Sequence, residues 1–514
     1  MDRHRAALLG SALRVANLAA TTAVAFFLMP FIVHRLGDRL YGYWSLVGAV
    51  LGYYGLLDLG IVSAVQFQVA KALGEGNPES ANRSISTSVY AFSVAGILVF
   101  LATVIIAFIS RRLVGPSPDL PAFRTVLLLV GIGSAFGFPG RALVGAISAH
   151  LRWDLIAGIG ILTLVFRSVL IIAALSKGGG LVSLGCIAVS TDFLSFTLFY
   201  FALRKVQGDL RIARALASIA TLKELFQYGR HSFVIQMGDQ LRFFVDGWVV
   251  GVFVTVSAVT HYAIASRLSL SFMSLMIAVF GILSPWFSHL LGSSDFDGMR
   301  RVFSFSTRVA VSISTIVAAA LLLYGRPFIA LWMGAAYADA YLPLVILVAA
   351  FYFDVAQLPS SSYLLGISKH RFLARLTLAE ALANFGLSIT WARHYGMLGV
   401  ALGTFVPMFI AKVFVQPAYV CRALNLPMAD YFVKLVGRPF MVAGLSSILA
   451  WALLFRRLHF SNMATLGAAI SCQVLISTLA TLFFAFNGGE RQSVLSRVLP
   501  WIGMSRLVEE TPTR

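Results

Sequence analysis

Along most of this chain apolar residues come in runs of about 20, separated by short polar turns. That is the length at which an α-helix crosses a hydrocarbon core. About fourteen such runs follow one another. Six start near Leu9, Tyr43, Val89, Phe123, Leu155 and Leu181, and six more near His231, Tyr262, Phe303, Tyr341, Phe372 and Leu398. Two further runs start near Phe432 and Met463. The pattern predicts an all-α integral membrane protein with an N-terminal six-helix bundle over 1–205 and a C-terminal six-helix bundle over 231–421. Two additional transmembrane helices follow over 422–486, then a polar cytoplasmic tail over 487–514. Between the bundles, a basic cytoplasmic linker over 206–230 has the make-up of an amphipathic helix lying on the membrane surface. The basic start Arg3-His4-Arg5 precedes an apolar run too long for a cleaved signal, so it reads as a retained first span.

The chain also repeats itself at a displacement of about 220 residues. Tyr41 falls on Tyr262, Gly60 on Gly281, and the loop beginning Leu73-Gly74 on Leu291-Gly292. Pro139 falls on Pro359, and Ile147-Ser148-Ala149-His150 on Ile367-Ser368-Lys369-His370. Six spans is an even number, so the second half keeps the orientation of the first, and a parallel repeat with a cleft between two bundles is expected.

Composition sharpens this reading. Hydrophobic residues make up 59% of the 514 positions and charged ones 12%, against about 25% charged in soluble domains. A formal charge of +19 would suit nucleic acid, but no basic recognition helix or nucleic-acid motif accompanies it, so no nucleic-acid partner is expected. The charge follows topology instead. Alternate loops hold about 23 of the 40 Lys and Arg, against about 10 in the opposite set, which places the richer set and both termini in the cytoplasm. Cys186, Cys421 and Cys472 lie in or at the ends of apolar runs and read as small buried hydrophobes.

No metalloprotease, nucleophile-elbow or phosphate-loop motif is present, so neither a catalytic residue nor a metal ligand is assigned. Asp295-Phe296-Asp297 imitates the Asp-x-Asp of a sugar transferase, but its place in the repeat matches the Gly74–Pro78 turn. The chemistry sits in charges at membrane depth, which are costly unless they face protein or water. Asp239, Arg242 and Asp246 share one helical stripe of the seventh span, and Arg14, Asn17 and Thr21 share one in the first. Arg141, Arg167 and Arg267 add cations suited to phosphate, because guanidinium donates in pairs and stays charged. These residues are the candidates for lining a substrate cavity. Each has a structural alternative: a self-neutralising Asp–Arg–Asp cluster, local pairing for Arg141 and Arg167, snorkelling for Arg267. Among the buried Asp58, Asp192, Asp354, Glu380 and Lys412, the carboxylates Asp58, Asp354 and Glu380 are candidates for loading H+ or Na+. Prolines 30, 139, 285, 359 and 407 would kink their spans, with Pro139 and Pro359 as paired hinges.

Two segments carry a family resemblance. Tyr41-Gly42-Tyr43-Trp44 places aromatic rings where a span leaves the bilayer, and Leu56-Leu57-Asp58-Leu59-Gly60 sets one carboxylate inside that span. Together they resemble the second helix of polysaccharide flippases, which share a superfamily with multidrug-and-toxin extruders and lipid II flippases. The resemblance implies movement of an undecaprenyl-pyrophosphate-linked oligosaccharide across a bacterial inner membrane by ion-coupled alternating access. It implies no cofactor. Its expected partners are the lipid-linked oligosaccharide, membrane lipids and the polysaccharide polymerase or export machinery. The alternatives are a lipid II or multidrug exporter, and a membrane glycosyltransferase or polymerase that would depend on Asp295 and Asp297.

Overall fold

The structure is a computed structural model. It describes residues 3–280, 283–456, 458 and 460–492, without the side chains at 3–16, 18, 19, 230–236, 238–244, 285, 370 and 455. Every regular element among the described residues is helical. Among the described residues ten helices are long and apolar enough to cross a membrane, and the pair Asp38–Asp58 and Ile61–Gly74, bent by 41°, counts as an eleventh if it is one span. The chain divides into two compact units, Met1–Ala263 and Ile264–Arg514.

The first unit holds α1 (Arg3–Leu36), α2 (Asp38–Tyr54), α3 (Ile61–Gly74), α4 (Pro78–Val114), α5 (Leu120–Ala149), α6 (Trp153–Ser176), α7 (Leu181–Val206), α8 (Ile219–Phe253) and the start of α9 (Val256–Phe280). Helix α4 shows why these residues build a membrane protein. Val94, Ile97, Leu98, Leu101, Ile105 and Phe108 are exposed along one stripe, while Phe92, Gly96, Val99, Thr103, Ala107 and Ser110 are buried along the opposite one. Apart from Phe92 and Val99, large apolar groups point outward and small or weakly polar ones inward, the packing expected where the solvent is lipid. Pro139 leaves the carbonyl of Ala135 without its helical donor. Gly96 lies against that carbonyl so closely that a Cβ would sit 2.5 Å from the oxygen.

The aromatic entry of α2 packs differently from the interfacial belt the sequence suggests. Tyr43 is 1% exposed and lies 4.7 Å from the Phe123 ring. Tyr41 and Trp44 lean on a cluster of Ile32, Ile171, Leu175, Leu184 and Ile187 from α1, α6 and α7. Gly42 lets the Val256 carbonyl approach to where a Cβ would be 2.1 Å away. The linker differs too. Its second half is helical, as the start of α8, while residues 207–218, with a 3-10 turn at Arg214–Leu216, are strapped to the start of α4. Asn82 donates to the Asp209 carbonyl at 2.9 Å and Ser86 to that of Arg211 at 3.1 Å, and Thr87 accepts from the Ser218 N–H.

The second unit continues α9 and adds α10 (Leu283–Gly292), α11 (Phe296–Trp332), α12 (Tyr341–Ala356), α13 (Leu358–Gly366), α14 (His370–Ile410), α15 (Gln416–Leu424), α16 (Met428–Asp430), α17 (Arg438–Ala450) and α18 (Met463–Phe484). Helix α14 is a hairpin. Its backbone leaves helical geometry at Gly396 (φ 58°), and Ser388 and Asn384 bond back to Val400 and Thr404. The runs read near Phe372 and Leu398 are thus the two arms of this hairpin, inside the apolar stretch Arg371–Leu424.

The repeat is visible in the caps. Gly76 and Ser294 are both left-handed; Asn77 and Asp295 then cap α4 and α11, each 37 residues long. The left-handed residues closing the next segment are Leu151 and Ser368. That register is three residues short of the one matching His150 to His370. Pro139 lies within continuous α5, whereas Pro359 opens α13, where a missing N–H costs nothing. The two prolines are thus not equivalent hinges. Of the cysteines expected to be buried, Cys421 is, but Cys186 and Cys472 are exposed on α7 and α18, on faces that meet lipid in spanning helices.

Candidate functional site

The Leu56-Leu57-Asp58-Leu59-Gly60 segment does not continue a helix; it breaks one. A 3-10 turn, Gly55–Asp58, ends in left-handed Leu59 (φ 52°) and Gly60 (φ 74°) before α3 starts. Gly60 is required twice over. Its backbone sign disfavours a side chain, and a Cβ would lie 2.2 Å from the Gly229 carbonyl of α8. The break brings Asp58 to the N-terminal end of α3, where Oδ1 accepts from the Val62 N–H at 3.2 Å. A carboxylate there is favoured by the exposed donors of the first turn.

Arg141 of α5 reaches toward Asp58, with a guanidinium nitrogen 3.8 Å from Oδ2. It also stacks over Phe138 at 4.4 Å, a cation–π contact that steadies the fork without saturating its donors. The separation exceeds the roughly 2.7–2.9 Å of a charge-assisted hydrogen bond, so the pair attracts without locking. Both residues line a cavity of 360 Å³ with Val62, Gly137, Gly140, Asp192 and Ser195. Asp192 of α7 interacts electrostatically with Arg167 of α6, and its Oδ2 lies 2.9 Å from where a Gly133 Cβ would be. Arg167 itself is exposed and is not part of the cavity lining. The first unit thus gathers the Asp58–Arg141 pair and Asp192 around an opening bordered by Gly137 and Gly140.

The remaining candidates scatter. Asn17 is half-buried against Gly160 of α6. Asp246 is buried and accepts from the Tyr262 hydroxyl at 2.6 Å. Arg267 is half-buried on α9. The side chains of Arg14, Asp239 and Arg242 lie outside the described residues. Asp354 and Glu380 meet at Lys412, whose Nζ is 3.2 Å from each carboxylate. Lys412 sits on a π-helical turn, Ala411–Val415, and donates to Gln416 at 3.0 Å. Gln416 donates to Ser361 and Gln357 to Tyr431. This second cluster is almost wholly buried: the Lys412 and Glu380 side chains are each 2% exposed. Asp295 is engaged as the α11 cap, accepting from the Gly298 N–H at 2.7 Å, which fits a turn. Sequence reasoning missed Ser195 as a cavity residue and Tyr262 as the partner of Asp246. Only the matching of Tyr41 with Tyr262 hinted at the second.

Comparison with known proteins places this architecture. A family described as "Polysaccharide biosynthesis protein" matches residues 61–342, more than half of the chain. The uncharacterized membrane protein EpsK of Bacillus subtilis is 23% identical over 505 residues, spanning 94% of this chain and 96% of that protein. A putative O-antigen transporter of Shigella flexneri is 22% identical over 414 residues, 78% of this chain and 94% of that one. Among solved structures, the lipid II flippase MurJ in an inward closed conformation aligns with a TM-score of 0.73 at 15% identity, over 96% of this chain and 100% of that one; the two share a fold. The broken second span, the charged cavity beside it and the matched segment that begins at Ile61 occur in one chain, and that chain belongs to the polysaccharide biosynthesis protein family.

Proposed function

We propose that this protein is a flippase that carries an undecaprenyl-pyrophosphate-linked glycan unit from the cytoplasmic to the outer leaflet of a bacterial inner membrane, with both termini in the cytoplasm. The observation that carries this reading is Arg141, a cation at membrane depth that is held by stacking and distant attraction and opens into a cavity. A diphosphate needs paired donors in a site poor in water, and guanidinium supplies them. The putative O-antigen transporter similar over most of its length supplies the substrate class, and the flippase fold supplies the mode of action. The polyprenyl tail stays in lipid while the head crosses, so only the head has to be matched by polar groups.

Alternating access is driven by an ion in this reading, with Asp58 as the carboxylate that takes up H+ or Na+. It can release Arg141 to the phosphate when it does so. Asp354 and Glu380 already share Lys412 and stand second as coupling residues. Arg14, Asn17, Arg167, Asp239, Arg242, Asp246 and Arg267 are proposed as further headgroup contacts along the path. A glycan polymerase or export apparatus is the partner that would consume the product. The protein is proposed to act as a carrier and to break no bond, so Asp295→Asn with Asp297→Asn should leave glycan export intact; abolished export would favour a transferase.

The test is deletion of the gene. Lipid-linked glycan units should then collect on the cytoplasmic leaflet, shielded from a membrane-impermeant periodate probe, and re-expression should restore their labelling from outside. Unchanged outside labelling in the deletion strain would refute the reading.

A further inference from the structure

The second unit has a cavity that nothing above uses. It measures 980 Å³ and lies between the end of α9, α10, the first turns of α11 and the segment after α18. One wall is apolar, with Phe280, Leu283 and Trp286; the other carries Arg301, Ser304 and Arg308. Arg300 also borders it but is spent on the carbonyls of Leu424 and Asn425, at 2.7 and 3.3 Å. Arg301 is 73% exposed and stands 3.8 Å from Asp295, the α11 cap. Arg308 is mostly enclosed and pairs with Glu490 through one terminal nitrogen. Its buried Nε–H has no partner among the described residues. A guanidinium that spends one edge and leaves a second donor unmet is a fork without its full anion.

Glu490 is held in place. The Asn487 N–H donates to its Oε2 at 3.1 Å, Phe486 packs edge-on against Phe305, and Arg491 lies over Phe483. The segment therefore presents a carboxylate to Arg308 beside an apolar wall, in a cavity that Arg301 also lines.

We infer that this cavity binds the phosphate headgroup of an anionic membrane lipid, with Arg301 and Arg308 as donors and Glu490 as the carboxylate that the phosphate displaces. The apolar wall decides between sources of phosphate. A free anion gains nothing from Phe280 and Trp286, whereas a lipid sets the start of its acyl chains there. The site is separate from the Asp58–Arg141 cavity, and the inference does not depend on transport.

The experiment is native mass spectrometry of the full-length protein in neutral detergent, with dioleoyl phosphatidylglycerol, dioleoyl phosphatidylcholine or inorganic phosphate added. Phosphatidylglycerol should be retained about ten-fold better than phosphatidylcholine. Arg301→Gln, a surface change that leaves folding alone, should lower that retention several-fold, and Arg308→Gln should lower it further. Glu490→Gln should raise it, since the competing carboxylate is gone. Equal retention of the two lipids overturns the inference. So does phosphatidylglycerol binding that ignores both Arg301→Gln and Glu490→Gln, or its displacement by inorganic phosphate at equal concentration.

Discussion

The two units each place acid–base groups at membrane depth, and they do so in opposite ways. In the first, Asp58 and Arg141 stand 3.8 Å apart, with side chains 14% and 36% exposed, beside a cavity that Asp192 and Ser195 also line. In the second, one lysine is clasped by two carboxylates at 3.2 Å and is almost wholly shut away. The cavity that Lys412 borders, 520 Å³, is otherwise mainly apolar, with Leu322, Val348, Phe353 and Phe440 among its lining. A tight buried cluster ties helices together and is costly to open, because desolvated charge has nowhere else to go. A loose pair can trade one partner for a ligand at little loss. On this comparison we propose that the second cluster chiefly braces its unit and that the first is the one to meet cargo.

Lys412→Met should give the largest effect. It strands two buried carboxylates and should destabilise the fold by about 3–5 kcal/mol, seen as loss of monodisperse protein and a lower unfolding temperature in detergent. Adding Asp354→Asn and Glu380→Gln should recover most of the loss. Failure of that rescue would show the cluster to be more than a brace. Next comes Gly60→Ala, which forces a side chain into a left-handed turn, about 1–3 kcal/mol of strain, against the Gly229 backbone. Gly48→Ala, which meets nothing within 4 Å, should cost almost nothing by the same thermal measurement. Equal effects would mean that the break at Asp58 does not rest on Gly60. Asp58→Asn should be the mildest for folding, within about 1 kcal/mol, as for other loose, partly exposed pairs.

Much of this was open to sequence reasoning, and the misses share a cause. The spans and the polar loops after Leu73 and Leu291 follow from runs and turn residues, and the rarity of charge singles out Asp58. Which charge answers Asp58 does not, because Arg141 comes from a distant helix and nothing local marks it. That Tyr43 packs inward could not be read, because a helix in lipid is apolar on every side, so hydropathy cannot tell a buried face from an exposed one. The same blindness hid the outward faces of Cys186 and Cys472. The hairpin at Gly396 was legible, since the runs starting near Phe372 and Leu398 are its two arms. The Pro139–Pro359 match failed because identical residues at a similar spacing say nothing of whether a helix continues through them.

Arg141→Gln carries the comparison to function. With the variant expressed at the level of the unaltered protein in the deletion strain, labelling of lipid-linked glycan by an impermeant outer-face probe should fall at least about ten-fold. The unfolding temperature of the purified variant should barely move. Full outer labelling from Arg141→Gln at matched protein level would contradict a role for the first-unit cavity in carrying the headgroup.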